Sequence, residues 1–136
     1  MDVSDTVAHL HWLAVAVASL AGFVTGGLWY GPLFGKAWMR AARLTEGQLR
    51  ARPLAPIYGT TVVLNLIAAV SLAMFVGGGD LRFGLFAGFM TGATFVATAL
   101  GVTFLFEGRP LSLWLIDAGY QTLNFTVMGA ILGGWH

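Results

Sequence analysis

The stretch "GGGDLRFGLFAGFMTGATFVATALGVTFLFEGRP" (77–110) decides the fold of this chain. It opens on three glycines and an aspartate, runs apolar from Phe83 to Phe106, and closes on Glu107-Gly108-Arg109-Pro110. The apolar run exceeds the ~20 residues that carry a helix across ~30 Å of hydrocarbon. Gly and Pro punctuate both ends, and such short turns predict antiparallel helices on either side.

The same pattern recurs outward from this segment. Apolar runs extend from His9 to Tyr30, from Pro56 to Val76 and from Leu111 to Trp135, with Gly31-Pro32 expected to end the first. The expected fold is therefore all-α, an integral membrane bundle of four transmembrane helices in a single domain over 1–136. Its helices lie at about 9–30, 56–76, 83–106 and 111–135, with an interfacial segment at 32–55. Composition agrees: 57% of the 136 residues are hydrophobic, 10% are charged, and mean hydropathy is +0.79. A soluble domain carries about 25% charged residues.

The leading "MDVSDTVAHLHW" (1–12) has acids where a secretory signal has bases, so it reads as the lead-in to the first helix, with Ser4 or Asp5 as N-cap.

The long connection holds five of the seven Lys and Arg residues: Lys36, Arg40, Arg43, Arg50 and Arg52. Phe34, Trp38, Ala41 and Ala42 form an apolar side on a helix there, with Lys36, Arg40 and Arg43 towards lipid headgroups. A solvated basic loop is the alternative. Thr45 with Gln48 has capping-box spacing and predicts a short helix from Glu46. Positive charge in the first and third loops against Arg82 alone in the second predicts those two loops inside and both termini outside. Aromatic belts fit that orientation, with Trp12 and Trp135 at the outer interface and Trp29, Tyr30, Trp38, Tyr58 and Trp114 at the inner one.

Small residues recur at four-residue spacing: Ala14, Ala18, Gly22 and Gly26; Gly84, Gly88 and Gly92; Gly129 and Gly133. Such stripes let helix backbones approach closely in lipid. The partner is either a helix of the same chain or a second copy, and a homo-oligomer is expected.

Polar residues share faces too. Tyr58, Thr61 and Asn65 lie on one side of the second helix, and Asp117, Gln121 and Asn124, with Tyr120 beside them, on one side of the fourth. Asn65 and Asn124 fall near mid-bilayer, and Asp117 only ~9 Å from the inner end. "IYGTTVVLN" (57–65) also aligns without gaps on "IDAGYQTLN" (116–124), pairing Asn65 with Asn124. An ancient duplication and a chance match are both open. Two readings of the polar faces stand side by side. Amides serve as interhelical glue. An intramembrane acid is a functional candidate, here in a polar cavity for a proton, ion or small polar solute. As glue, Asp117 carries its proton or pairs with Arg109 or Lys36.

Other chemistries lack their residues. There is no cysteine, and net charge is +1 with no basic–aromatic stripe for nucleic acid. His9, His11 and His136 share the outer side, where surface imidazoles without a metal are the expected reading. No nucleophile meets a histidine at comparable depth, so no catalytic residues, no metal and no cofactor are assigned.

At "LWYGPLFGKAWMR" (28–40) and "LFEGRPLSLWLIDAGYQ" (105–121) the chain resembles a bacterial family of small integral membrane proteins known as a domain of unknown function. The resemblance implies four spanning helices in the bacterial inner membrane and no assigned activity. The leading functional expectation is passage or binding of a small polar species along helices two and four of an oligomer. The rivals are a structural or accessory membrane protein, and a lipid-interacting protein using Lys36, Arg40 and Arg43.

Overall fold

The computed structural model describes residues 4, 5 and 10–135. Among these residues regular structure is helical, without strands. Helix α1 is Trp12–Leu28, α2 Gly35–Ala42, α3 Glu46–Arg50, α4 Leu54–Val76, α5 Leu81–Met90, α6 Ala97–Glu107 and α7 Leu111–Gly134. Two π-helical segments, Trp29–Leu33 and Thr91–Val96, extend α1 and join α5 to α6. Among the described residues three continuous rods are long and apolar enough to cross a membrane: Trp12–Leu33, Leu54–Val76 and Leu81–Glu107. Their outward side chains are large and bare, with Phe75 79%, Phe95 74% and Phe106 90% exposed. Apolar surface on that scale fits contact with lipid chains and not with water.

Helix α7 has 24 residues, but it plays a different part. It packs against α1, α4, α5 and α6. Its polar residues lie among these helices or on the space between them, and apolarity is no longer required of it all round. The core interleaves small and larger apolar side chains: Ala14, Val15 and Ala18 of α1, Ala69, Leu72 and Ala73 of α4, and Met128 and Leu132 of α7.

The ends of the helices follow local chemistry. His11, not Ser4 or Asp5, caps α1, its Nδ1 accepting from the Ala14 amide at 3.4 Å. Thr45 and Gln48 form the full capping box at α3. Asp80 caps α5, its Oδ1 accepting from the Phe83 amide at 3.0 Å. Gly77 and Gly108 take positive φ, 55° and 70°, at the turns that the sequence marks.

Gly31-Pro32 does not end the first helix. The chain widens to a π turn, and the Phe34 amide donates to the Trp29 carbonyl at 2.8 Å. Proline lacks an N–H and its ring collides with the carbonyl four residues back, so the wider turn carries the rod past it. The second widening coincides with Thr91, Thr94 and Thr98, whose hydroxyls donate back to the carbonyls of Ala87, Met90 and Thr94.

The glycine stripe of α5 meets that of α7 within one chain. A Cβ on Gly84 would enter the Gly129 carbonyl, one on Gly88 the Phe125 carbonyl, and one on Gly92 would lie 2.6 Å from the Thr122 Cα. A Cβ on Gly133 would meet the Asp80 carbonyl. His11 touches the Trp135 ring at 5.8 Å between centroids, so the α1 start, the α4–α5 turn and the α7 end share one end of the molecule. The 34–53 connection and the 108–110 turn occupy the other.

Candidate functional site

At that other end, α1, α4 and α7 splay around a cleft of about 1530 Å³. Five of the sequence-predicted polar residues line it: Tyr58 and Thr61 from α4, and Asp117, Tyr120 and Gln121 from α7. Gly22 and Gly26 line it from α1. Helix α2 lies over it, with Trp38, Ala41 and Ala42 in its lining. The apolar side of α2 therefore faces the cleft as well as any interface, because Trp38 packs edge-on to Tyr30 at 5.2 Å.

Tyr30 was not among the polar candidates, and it organises the wall. Its hydroxyl donates to Asp117 Oδ1 at 2.7 Å, and its ring lies 5.2 Å from that of Tyr120. Asp117 pairs with neither Arg109 nor Lys36, because Arg109 is held by Glu107 at 3.3 Å and lies over the Phe104 ring. The neighbouring Trp29 donates its indole N–H to the Ile116 carbonyl at 3.0 Å. Gly119 makes room for it, since a Cβ there would lie 2.9 Å from Trp29 Cζ2. Trp114 donates in the same way to the Ala97 carbonyl at 2.8 Å. Both indoles, expected in an interfacial belt, are engaged by backbone carbonyls of neighbouring helices. The signal available in sequence was the Trp29-Tyr30 dipeptide just before Gly31-Pro32. A π turn there brings both rings onto α7.

Asn65 and Asn124 do not line the cleft. They flank its floor at Gly22, where a Cβ would lie 2.8 Å from Asn65 Nδ2 and 3.1 Å from Asn124 Oδ1. Asn124 is 3% exposed, and its Oδ1 has no hydrogen-bond partner among the described residues. Tyr120 donates to the Gly22 carbonyl at 3.0 Å, with Gly26 giving its ring passage. The two asparagines of the aligned segments 57–65 and 116–124 thus converge on one glycine.

Among the predicted headgroup residues, Arg43 lines the mouth of the cleft, joined by Arg52 and Arg109, while Lys36 and Arg40 lie exposed outside it. The remaining glycines, Gly84, Gly88, Gly92, Gly129 and Gly133, form the α5–α7 seam and take no part in the cleft. His9 and His136 lie outside the described residues. Among the described residues no three His, Cys, Asp or Glu side chains are grouped to hold a metal ion.

Fold and site together define a helical protein with segments long and apolar enough to cross a membrane and, at one end, a cleft of mixed polar and apolar lining. The chain belongs to the family of proteins of unknown function DUF1761, whose model matches residues 13–133. The match includes both stretches that carry the resemblance, and these pack on each other: Trp29 on Ile116 and Gly119, Tyr30 on Asp117 and Tyr120. No curated protein and no solved structure matches the chain.

Proposed function

We propose that this is a multi-pass membrane protein that binds a small polar species in the cleft between α1, α4 and α7, as a channel, transporter or receptor. In this reading α7 is the fourth crossing, and the 34–53 connection and 108–110 turn face the cytoplasm. Both termini are then extracytoplasmic. The observation that carries the reading is the cleft itself. It is lined by Asp117, Gln121, Tyr58 and Thr61 and lies between rods whose outer faces are apolar. Polar groups in lipid are costly unless they face protein or water. The cleft gives them such a surface.

The absence of cysteine makes a direct test possible. In nanodiscs, Thr61→Cys on the cleft wall reacts with a charged thiol reagent, while Leu64→Cys on the outer face of α4 stays unlabelled. A Thr61→Cys as unreactive as Leu64→Cys would show a dry cleft and overturn the reading. The structural alternative has support of its own at Tyr120, Trp29 and Trp114, each of which hydrogen-bonds a neighbouring helix backbone. A homo-oligomer belongs to the proposal as well. One chain forms the cleft but does not close it.

A further inference from the structure

Three guanidinium groups, from Arg43, Arg52 and Arg109, line the cleft, against one carboxylate, that of Asp117. The carboxylate is already engaged by the Tyr30 hydroxyl. Arg109 is neutralised locally by Glu107. Arg43 and Arg52 make no ion pair among the described residues, although Glu46, which takes Arg50 at 3.5 Å, lies in the same short connection. The cleft mouth therefore carries an uncompensated positive charge. Asp117 is the one carboxylate in its lining, against three arginines.

Local backbone features set where these two arginines leave the chain. Arg43 is the C-cap of α2 and the single non-glycine residue with positive φ among the described residues, at 57°. A side chain other than Gly, Asn or Asp costs ~1 kcal/mol or more there, and such strain gathers at ligand sites. Arg52 is followed by Pro53, the N-cap of α4, which restricts the Arg52 backbone to extended forms. The capping box of α3 ties the segment between them. Deeper in the same cleft, Asp117 and Gln121 offer acceptors, and Tyr58, Tyr120 and Trp38 offer rings. A guest matched to this lining has an anion at the mouth and hydroxyl groups below it.

We propose that the cleft binds a hydroxylated phosphate ester, its phosphate between Arg43 and Arg52 and its hydroxyls towards Asp117 and Gln121. Guanidinium pairs take phosphate oxygens by charge-assisted, often bidentate bonds. The chemistry is shared by an anionic glycerol lipid headgroup and by free glycerol phosphate. The inference rests on the cleft being the binding site.

The test uses protection of the Thr61→Cys reporter against a neutral maleimide in phosphatidylcholine nanodiscs. Addition of glycerol phosphate, or inclusion of phosphatidylglycerol in the bilayer, slows labelling, and glycerol does not. Slowing by phosphatidylglycerol alone assigns the lipid source, and slowing by glycerol phosphate alone assigns the soluble one. The Arg43→Gln/Arg52→Gln pair weakens the protecting ligand by about tenfold or more, about 1.4 kcal/mol per tenfold. Lys36→Gln/Arg40→Gln removes the same charge outside the cleft and leaves protection unchanged. Both arginines are exposed, so their loss leaves the helical packing intact, which circular dichroism verifies. Rapid labelling that neither phosphate slows, or equal loss from both double variants, overturns the phosphate proposal while the cleft stands. An unreactive reporter overturns the cleft reading instead.

Discussion

Tyr30 and Asp117, 87 positions apart, meet through a hydrogen bond of 2.7 Å from the tyrosine hydroxyl to Oδ1. The bond ties the π turn after α1 to the first third of α7, and it forms one wall of the cleft. Its energetic weight is measurable. Tyr30→Phe is expected to destabilise the protein by about 1–3 kcal/mol, because it leaves a half-buried acid without its donor. Asp117→Asn keeps an acceptor and costs less. A double-mutant cycle of Tyr30→Phe with Asp117→Ala, which removes the acceptor, followed by thermal unfolding in detergent, should give a coupling of about 1 kcal/mol. Additive effects would mean that the bond is not made.

The π turn itself can be tested through that pair. Pro32→Ala restores an N–H and removes the ring that collides with the preceding turn. The turn can then tighten to an ordinary α-helix, which rotates Tyr30 away from Asp117. In a Pro32→Ala background Tyr30→Phe should become nearly neutral. An unchanged penalty would show that proline is not the cause of the widening.

The α5–α7 seam predicts opposite outcomes for glycines of the same rod system. Gly88→Ala drives a methyl into the Phe125 carbonyl, and backbone cannot yield as a flexible side chain does. Overpacking of this kind costs about 1–3 kcal/mol. Gly27 has nothing within 4 Å of its missing Cβ, so Gly27→Ala should be neutral or stabilising. Melting temperatures of the two variants, compared in one detergent, decide the point.

At the cleft floor the amides of Asn65 and Asn124 press on Gly22. Gly22→Ala is expected to cost about 1–3 kcal/mol by displacing both side chains. Adding Asn65→Ala should recover part of that loss, since it removes the group 2.8 Å from the new methyl. Full additivity of the two substitutions would place Asn65 away from Gly22.

Much of this fold was legible residue by residue. Gly77 and Gly108 turn the chain where glycine-rich breaks predicted turns, and Thr45 with Gln48 caps α3 as its spacing requires. The small-residue stripes announced close backbone contact. They did not announce their partner, which proved to be α7 for the stripe of α5. The polar faces of α4 and α7 were visible as well. Their division was not, with Tyr58, Thr61, Asp117 and Gln121 in the cleft and Asn65 and Asn124 beneath it. That division depends on where Gly22 lies along α1, a relation between helices that no periodicity within one helix contains.

The sequence by itself determined what is local: apolar runs long enough for hydrocarbon, the residues that interrupt them, and the caps at their ends. These follow from hydropathy, backbone dihedrals and hydrogen bonds within a few residues. Only the tertiary structure decided that Tyr30 holds Asp117, that Trp29 and Trp114 bond to backbone carbonyls, and that Arg43 and Arg52 share one mouth. Those pairings depend on the register between helices. Interlocking of small and large side chains sets that register, and a single widened turn at Pro32 shifts it.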